Sequence, residues 1–299
     1  MDKAVKIAVI GGDKRIVSAT KALVESGFDV KVWGIDSVYF DKELCVDACE
    51  DAVNNINVLI LPTPPSEDEV RVNCPLFSNE SGIKFHKLLE ILSPDTVILG
   101  GRMSPRFRDI ASKKNFKTYD YFNREELLIK NAVPTAEGAI GIAIDKCSKT
   151  IFGAQIAIVG YGRIGEVLAT KLGLLGADVT VYARKVAGIA KAKALGLKGR
   201  KIEFRNGINS LCELADGYDI IYNTVPYWII TEEIVKNMPK STMIIDLASA
   251  PGGVDIIAAK KYNLDIIHAL GLPGKTAPES AGRIIAESIT NIIMEEISL

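Results

Sequence analysis

The chain has 299 residues, 48% hydrophobic and 24% charged, a globular composition of a size that suits two domains. Its 36 Lys and Arg against 37 Asp and Glu leave a formal net charge of −1, so no basic field exists to attract nucleic acid or an anionic membrane. No apolar run approaches the roughly 18 residues of a bilayer span, the start reads as a strand and not as a signal peptide, and Cys45, Cys49, Cys74, Cys147 and Cys212 are too scattered for a disulfide framework or a metal site; a soluble cytoplasmic protein without metal is expected.

Strand-like runs fall at 5–10, 30–33, 58–61 and 96–99, with amphipathic stretches at 14–26 and 83–92. The first run ends in Gly11-Gly12-Asp13, and Ile16 and Val17 stand where a dinucleotide loop would carry its third glycine. This turn reads as Rossmann-like without dinucleotide binding, its amides still able to meet a small anion. The Pro-rich loop after Leu61 sits at a strand's C-terminal end, where long loops are often functional. Gly100-Gly101-Arg102 repeats the theme at a later strand end; Arg102 can pair with a carboxylate or be a surface arginine.

A boundary is expected near 131–135. Pro134 should break what precedes it, and Thr135 should cap a helix over 135–148 with the face Ala136, Ala139, Ile140, Ala143, Ile144 and Cys147. Beyond it, strands are expected at 155–159, 179–183, 219–223, 242–246 and 265–268, and helices at 165–175, 187–195, 231–238 and 254–262. Continuous apolar strands alternating with helices indicate parallel sheets covered on both faces. The expected fold is therefore α/β, two Rossmann-like doubly wound domains with a cleft between them: 1–131 for substrate, 132–275 for NADP, then 276–299. The last segment reads as a helix from Pro278 with one apolar stripe, packing back on the N-terminal half or on a neighbouring copy of the chain.

The most informative segment is QIAIVGYGRIG, in which a strand meets Gly160-Tyr161-Gly162-Arg163-Ile164-Gly165 and then a helix. Gly160 permits the tight turn, Gly162 lets a diphosphate approach the backbone, and Gly165 lets helix and strand pack closely. The next strand ends in Ala183-Arg184-Lys185, with no Asp or Glu to accept from ribose hydroxyls. A carboxylate would repel a 2′-phosphate that Arg184 can fork, so NADP is favoured over NAD. Asn223-Thr224-Val225-Pro226, Ser249 and Gly271 fall at the carboxyl ends of later strands, on the side where such sheets bind ligands.

Together with KIAVIGGD at the start, the ordered segments VPTAEG, VGYGRIG, NTVP, DLASAPGGVD and GLPGKTAP mark a chain that resembles the family of dipicolinate synthase A subunits over nearly its whole length. The resemblance implies a fold like that of D-2-hydroxyacid dehydrogenases and adenosylhomocysteinase. It implies NADP-dependent oxidation of dihydrodipicolinate, or its hydrated precursor, to dipicolinate in the mother-cell cytoplasm during sporulation, with the B subunit of dipicolinate synthase as partner. A homo-oligomer is expected. Carboxylate holders for such a substrate are Arg102, Lys275, Thr63, Thr135 and the amides of Gly11, Gly12, Gly100 and Gly101. Glu137 is the candidate catalytic group, orienting ribose or substrate or taking the proton; a first-turn acid favoured by the helix dipole would look the same. His268 is the less favoured base. The His–Glu pair of hydroxyacid dehydrogenases has no counterpart, which counts against a simple 2-hydroxyacid reaction. Two alternatives stay open: another NADP-dependent hydroxyacid or amino-acid dehydrogenase, and a non-catalytic NADP-sensing subunit.

Overall fold

A computed structural model describes residues 5–78, 81–205 and 208–297. It divides into two compact units, one formed by the chain up to Asn131 and from Pro273 onward, the other by Ala132–Leu272.

The first unit begins β1 (Lys6–Ile10), α1 (Lys14–Glu25), β2 (Asp29–Trp33), α2 (Cys49–Val53), β3 (Val58–Ile60), α3 (Phe85–Ile91), β4 (Val97–Gly100), α4 (Pro105–Lys113) and β5 (Thr118–Asp120). The five strands form one parallel sheet in the order β2-β1-β3-β4-β5. β1, β3 and β4 are buried along nearly their whole length, so their side chains feed cores on both faces. That is why they read as unbroken apolar runs. Strand β5 escaped sequence reading because its three residues, Thr-Tyr-Asp, carry no such run.

Helix α5 (Glu125–Lys146) leads from this unit into the second. It starts ten residues before the expected helix, and Pro134 lies inside it instead of ending what precedes. Proline removes one helical donor and crowds the carbonyl four residues back, at about 3 kcal/mol. Here both ends are anchored: Leu127 sits in the first unit's core, and Ala136, Ala139, Ile140 and Ala143 sit in the second's. Thr135 is consequently a buried interior residue of α5, not its cap. Contrary to the expectation of no such stretch, α5 is long and apolar enough to cross a bilayer; half of its apolar window is buried in protein, as in a core helix.

The second unit continues with β6 (Gln155–Val159), α6 (Arg163–Leu174), β7 (Asp178–Ala183), α7 (Val186–Ala194), β8 (Lys198–Lys201), the hairpin strands β9 (Phe204–Arg205) and β10 (Ile208–Asn209), β11 (Ile220–Asn223), α8 (Glu232–Val235), β12 (Met243–Asp246), α9 (Ile256–Lys261) and β13 (Asp265–His268). Its six-stranded sheet runs β13-β12-β11-β6-β7-β8, all parallel. This is the doubly wound Rossmann order, whose reversal between β6 and β11 marks the ligand side. β8 went unread because Lys-Gly-Arg-Lys is an edge strand with no apolar pattern.

The chain closes with α10 (Leu272–Thr276) and α11 (Pro278–Glu296). Lys275 therefore falls in the first unit and not in the second, where the expected boundary put it. α11 packs along α1 through Ile285, Ile289, Ile292 and Ile293. Gly282 permits the approach: a Cβ there would lie 2.3 Å from the Arg15 carbonyl oxygen.

Candidate functional site

In the second unit the expected glycine loop sits at the C-terminal end of β6. Gly160, at φ 97°, donates its amide to Tyr182 O at 2.9 Å, tying the turn to the neighbouring strand. A Cβ on Gly160 would meet Thr224 Oγ1 at 2.3 Å, and one on Gly165 would meet Gly160 O at 2.3 Å. Gly162 is different: nothing lies within 4 Å of its Cβ position. It is also the N-cap of α6 and offers no side chain to the helix start. The loop is thus closed where helix and strands meet and open where a ligand would approach. Tyr161 packs its ring near Gly188, and its buried hydroxyl has no hydrogen-bond partner among the described residues. Burial, reinforced by Glu166 and opposed by Lys191, raises the pKa of this phenol, so it stays a donor at neutral pH. An uncapped helix start, an open Gly162 and an unsatisfied phenol fit an anionic dinucleotide.

β7 ends with Ala183 buried and Arg184 and Lys185 exposed; neither cation makes an ion pair among the described residues. Ile164 packs against the core below the loop. Ser249, Pro226 and Gly271 are exposed at strand ends, as a contact role requires. Thr224 uses its hydroxyl on Val159 O at 3.1 Å, and so supports Gly160 from below.

Asn223 is a correction. Its side chain is fully buried and locked: Nδ2 donates to Asp246 Oδ1 at 2.8 Å and to Val225 O at 3.0 Å, while Oδ1 accepts from Val225 N. It positions the loop and is not available to a coenzyme. Asp246, the residue sequence reading overlooked here, is the centre of this knot. It is completely buried and also accepts from the amides of Ala248 and Gly253, at 3.1 and 3.0 Å. The signal was a lone acid ending an apolar strand; a buried carboxylate persists only with such partners. Nearby, His268 Nε2 lies 3.2 Å from Ala248 O.

Glu137 is exposed on α5, where its carboxylate accepts from Lys171 Nζ at 2.9 Å, about two turns along α6 from Arg163. It is a surface ion-pair partner.

In the first unit the expected amide donors are already engaged. Gly11 donates to Trp33 O at 2.8 Å, Gly12 to Asn73 O at 3.0 Å and Gly101 to Pro62 O at 3.2 Å. Gly100 lies inside β4, paired with Asp120. Anion holding by these backbones is therefore withdrawn, and the task falls to side chains. Arg102 sits at φ 55° after Gly101, which packs on the buried Thr63 and on Tyr121. Arg15, unnoticed in the sequence, reaches the same place: its Nη2 donates to Thr63 O at 2.9 Å. Gly274 brings Lys275 beside it, with a Cβ position 3.0 Å from Arg15 Nε. Burial raises the phenol pKa of Tyr121, which donates to Leu61 O at 2.9 Å.

Comparison with known proteins agrees with this division. Residues 6–122 match the family described as the N-terminal domain of the dipicolinate synthase A subunit. Residues 138–254 match the D-isomer specific 2-hydroxyacid dehydrogenase, NAD binding domain. The dipicolinate synthase A subunit of Bacillus subtilis (strain 168) is 34% identical over 292 residues, spanning 97% of this chain and 96% of that protein. The solved structure of the dipicolinate synthase A subunit from Bacillus halodurans has a TM-score of 0.88 and 29% identity, covering 97% of this chain and 98% of that one. The corresponding structure from Bacillus subtilis has a TM-score of 0.87 and 33% identity, covering 99% and 97%. A transhydrogenase from Sinorhizobium meliloti, at TM-score 0.70 and 16% identity over 98% of this chain and 94% of that one, shares the fold.

Proposed function

Because the chain belongs to the family of dipicolinate synthase A subunits, we propose that it binds NADP in its second unit and oxidises a cyclic dicarboxylate, dihydrodipicolinate or its hydrated precursor, to dipicolinate. The observation that carries this reading is the start of α6, where Gly162 leaves the helix uncapped and open while β7 beside it ends in two cations and no carboxylate. Backbone amides at 162–165 would hold the diphosphate, aided by the positive end of the helix dipole. Arg184 would fork the 2′-phosphate, with Lys185 adding charge. When bound, the coenzyme accepts a hydride from the dihydropyridine ring, and the second hydrogen leaves as a proton. Aromatisation supplies driving force, so the chain's own task is to orient the reactants and hold two carboxylates. Arg102 and Lys275 keep side chains for that purpose. A partnership with the B subunit of dipicolinate synthase, assembly of several copies and the mother-cell cytoplasm are parts of the same proposal; the relatives' designation as an A subunit supports the first.

The test is NADPH formation by the purified chain given NADP and dihydrodipicolinate, with NAD in a parallel assay. Substrate-dependent reduction, much weaker with NAD, is expected. A folded chain that binds neither coenzyme overturns the reading. Turnover of a hydroxyacid or amino acid, but not of the cyclic dicarboxylate, would replace the substrate.

A further inference from the structure

The first unit holds two guanidiniums whose charge its own carboxylates leave only partly answered. Arg15 is braced from one side. Its Nε and Nη2 donate to Asp13 Oδ2 at 2.9 and 2.7 Å, and Nη2 also donates to Thr63 O at 2.9 Å. Its Nη1 has no partner among the described residues. The Arg102 side chain makes no hydrogen bond or ion pair among them either; its guanidinium rests 5.0 Å from the centroid of the Phe122 ring.

Thr63 makes these two cations neighbours. Arg15 docks on its carbonyl, and a Cβ on Gly101, the residue before Arg102, would lie 2.6 Å from Thr63 Cβ. The pKa of Arg102 is lowered, first by burial and then by the charge of Arg15, with Asp120 opposing. Asp120 does not pair with the Arg102 side chain, because its oxygens are engaged elsewhere. Oδ1 accepts from the amides of Arg102 and Phe122, both at 2.9 Å; Oδ2 accepts from the amide of Met103 at 2.9 Å and from Arg108 Nη2 at 3.1 Å. Those bonds hold Arg102 at φ 55°, a left-handed conformation that a bulky residue adopts at a cost. For stability alone, a strained backbone that presents one guanidinium beside another is unfavourable. A dianion at that point would reverse the sign of the repulsion.

We propose that Arg15 and Arg102 together are the recognition pair for the two carboxylates of one ligand, with Asp13 aiming the first guanidinium and Asp120 presenting the second. The identity of the ligand, a planar ring with two carboxylates, rests on the dehydrogenase reading; the pair adds the residues that separate a dicarboxylate from a monocarboxylate. A guanidinium suits the task because its planar fork meets a carboxylate with two parallel bonds.

Calorimetric titration of the full chain with pyridine-2,6-dicarboxylate and, separately, pyridine-2-carboxylate tests this. The unaltered protein should prefer the dicarboxylate by about tenfold or more. Arg102→Gln and Arg15→Lys should each abolish that preference. Arg15 also braces Asp13 and Thr63, so Arg102→Gln, which removes no polar side-chain contact within the described residues, is the decisive variant, with its melting temperature as the check on folding. Asp120→Asn should raise KM for the dicarboxylate and leave NADP affinity unchanged, a split that general loosening would not produce. An unaltered protein without the preference, or a folded Arg102→Gln that keeps it, overturns the pair. NADP titration of the same samples separates the two failures. NADP binding without dicarboxylate preference sinks the pair and spares the coenzyme reading. Dicarboxylate preference without NADP binding does the reverse.

Discussion

Both units open with a strand, a glycine turn and a helix, yet the two helix starts are chemically opposite. Gly11 and Gly160 do the same work: each takes positive φ and ties its amide to the end of the next strand, at Trp33 and Tyr182. Two residues on, the turns diverge. Asp13 caps α1 with its own carboxylate, accepting from the Arg15 amide at 2.9 Å, whereas the matching Gly162 leaves α6 bare. Where Gly165 lets helix and strand close up, the first unit has the buried Ile16, whose Cβ lies 2.5 Å from where a Cβ on Gly12 would stand. A helix N-terminus attracts an anion. In the first unit that anion is internal and is used to hold an arginine. In the second the place is left for a ligand. One fold can thus carry a coenzyme loop or a side-chain clamp, depending on a single residue at the cap.

The sharpest way to break this comparison is Gly162→Asp, which writes the first unit's cap into the second. The Cβ position is open, so the protein should fold with an unchanged or slightly higher melting temperature, while coenzyme affinity falls about a hundredfold or more, read by titration with NADP. Retained affinity would mean that the α6 amides hold no phosphate. Arg184→Glu comes next. It should weaken NADP by about tenfold or more and NAD much less, because only NADP carries the 2′-phosphate; equal losses would remove Arg184 from that role. The converse exchange, Asp13→Gly, should have the smallest effect. Loss of the cap costs about 1 kcal/mol, a melting shift of about 2–4 °C for a unit of this size. It should create no dinucleotide site, since Ile16 still fills the turn. A gain of NADP binding with the Gly160 loop disabled would show that the cap alone decides.

Much of this contrast was legible in the chain. The missing third glycine at Ile16 and the cations at Arg184 and Lys185 are local features of residue type, read directly at a strand end. Asn223 misled because a strand-end polar residue looks the same whether it faces a ligand or a buried acid. Its partner, Asp246, is 23 residues away. The amides of Gly11, Gly12 and Gly101 misled for a similar reason, since their acceptors lie on other strands and loops.

What the sequence by itself determined was the α/β alternation, the coenzyme loop and the apolar stripe of α11, because periodicity and glycine placement express local backbone and burial requirements. Only the tertiary structure decided that α5 runs through Pro134, since two separate cores hold its ends. Only the tertiary structure joined Arg15, Thr63, Arg102 and Asp120, because hydrogen bonds and charge proximity between distant strand ends arise when the sheet assembles and leave no spacing in the chain to read.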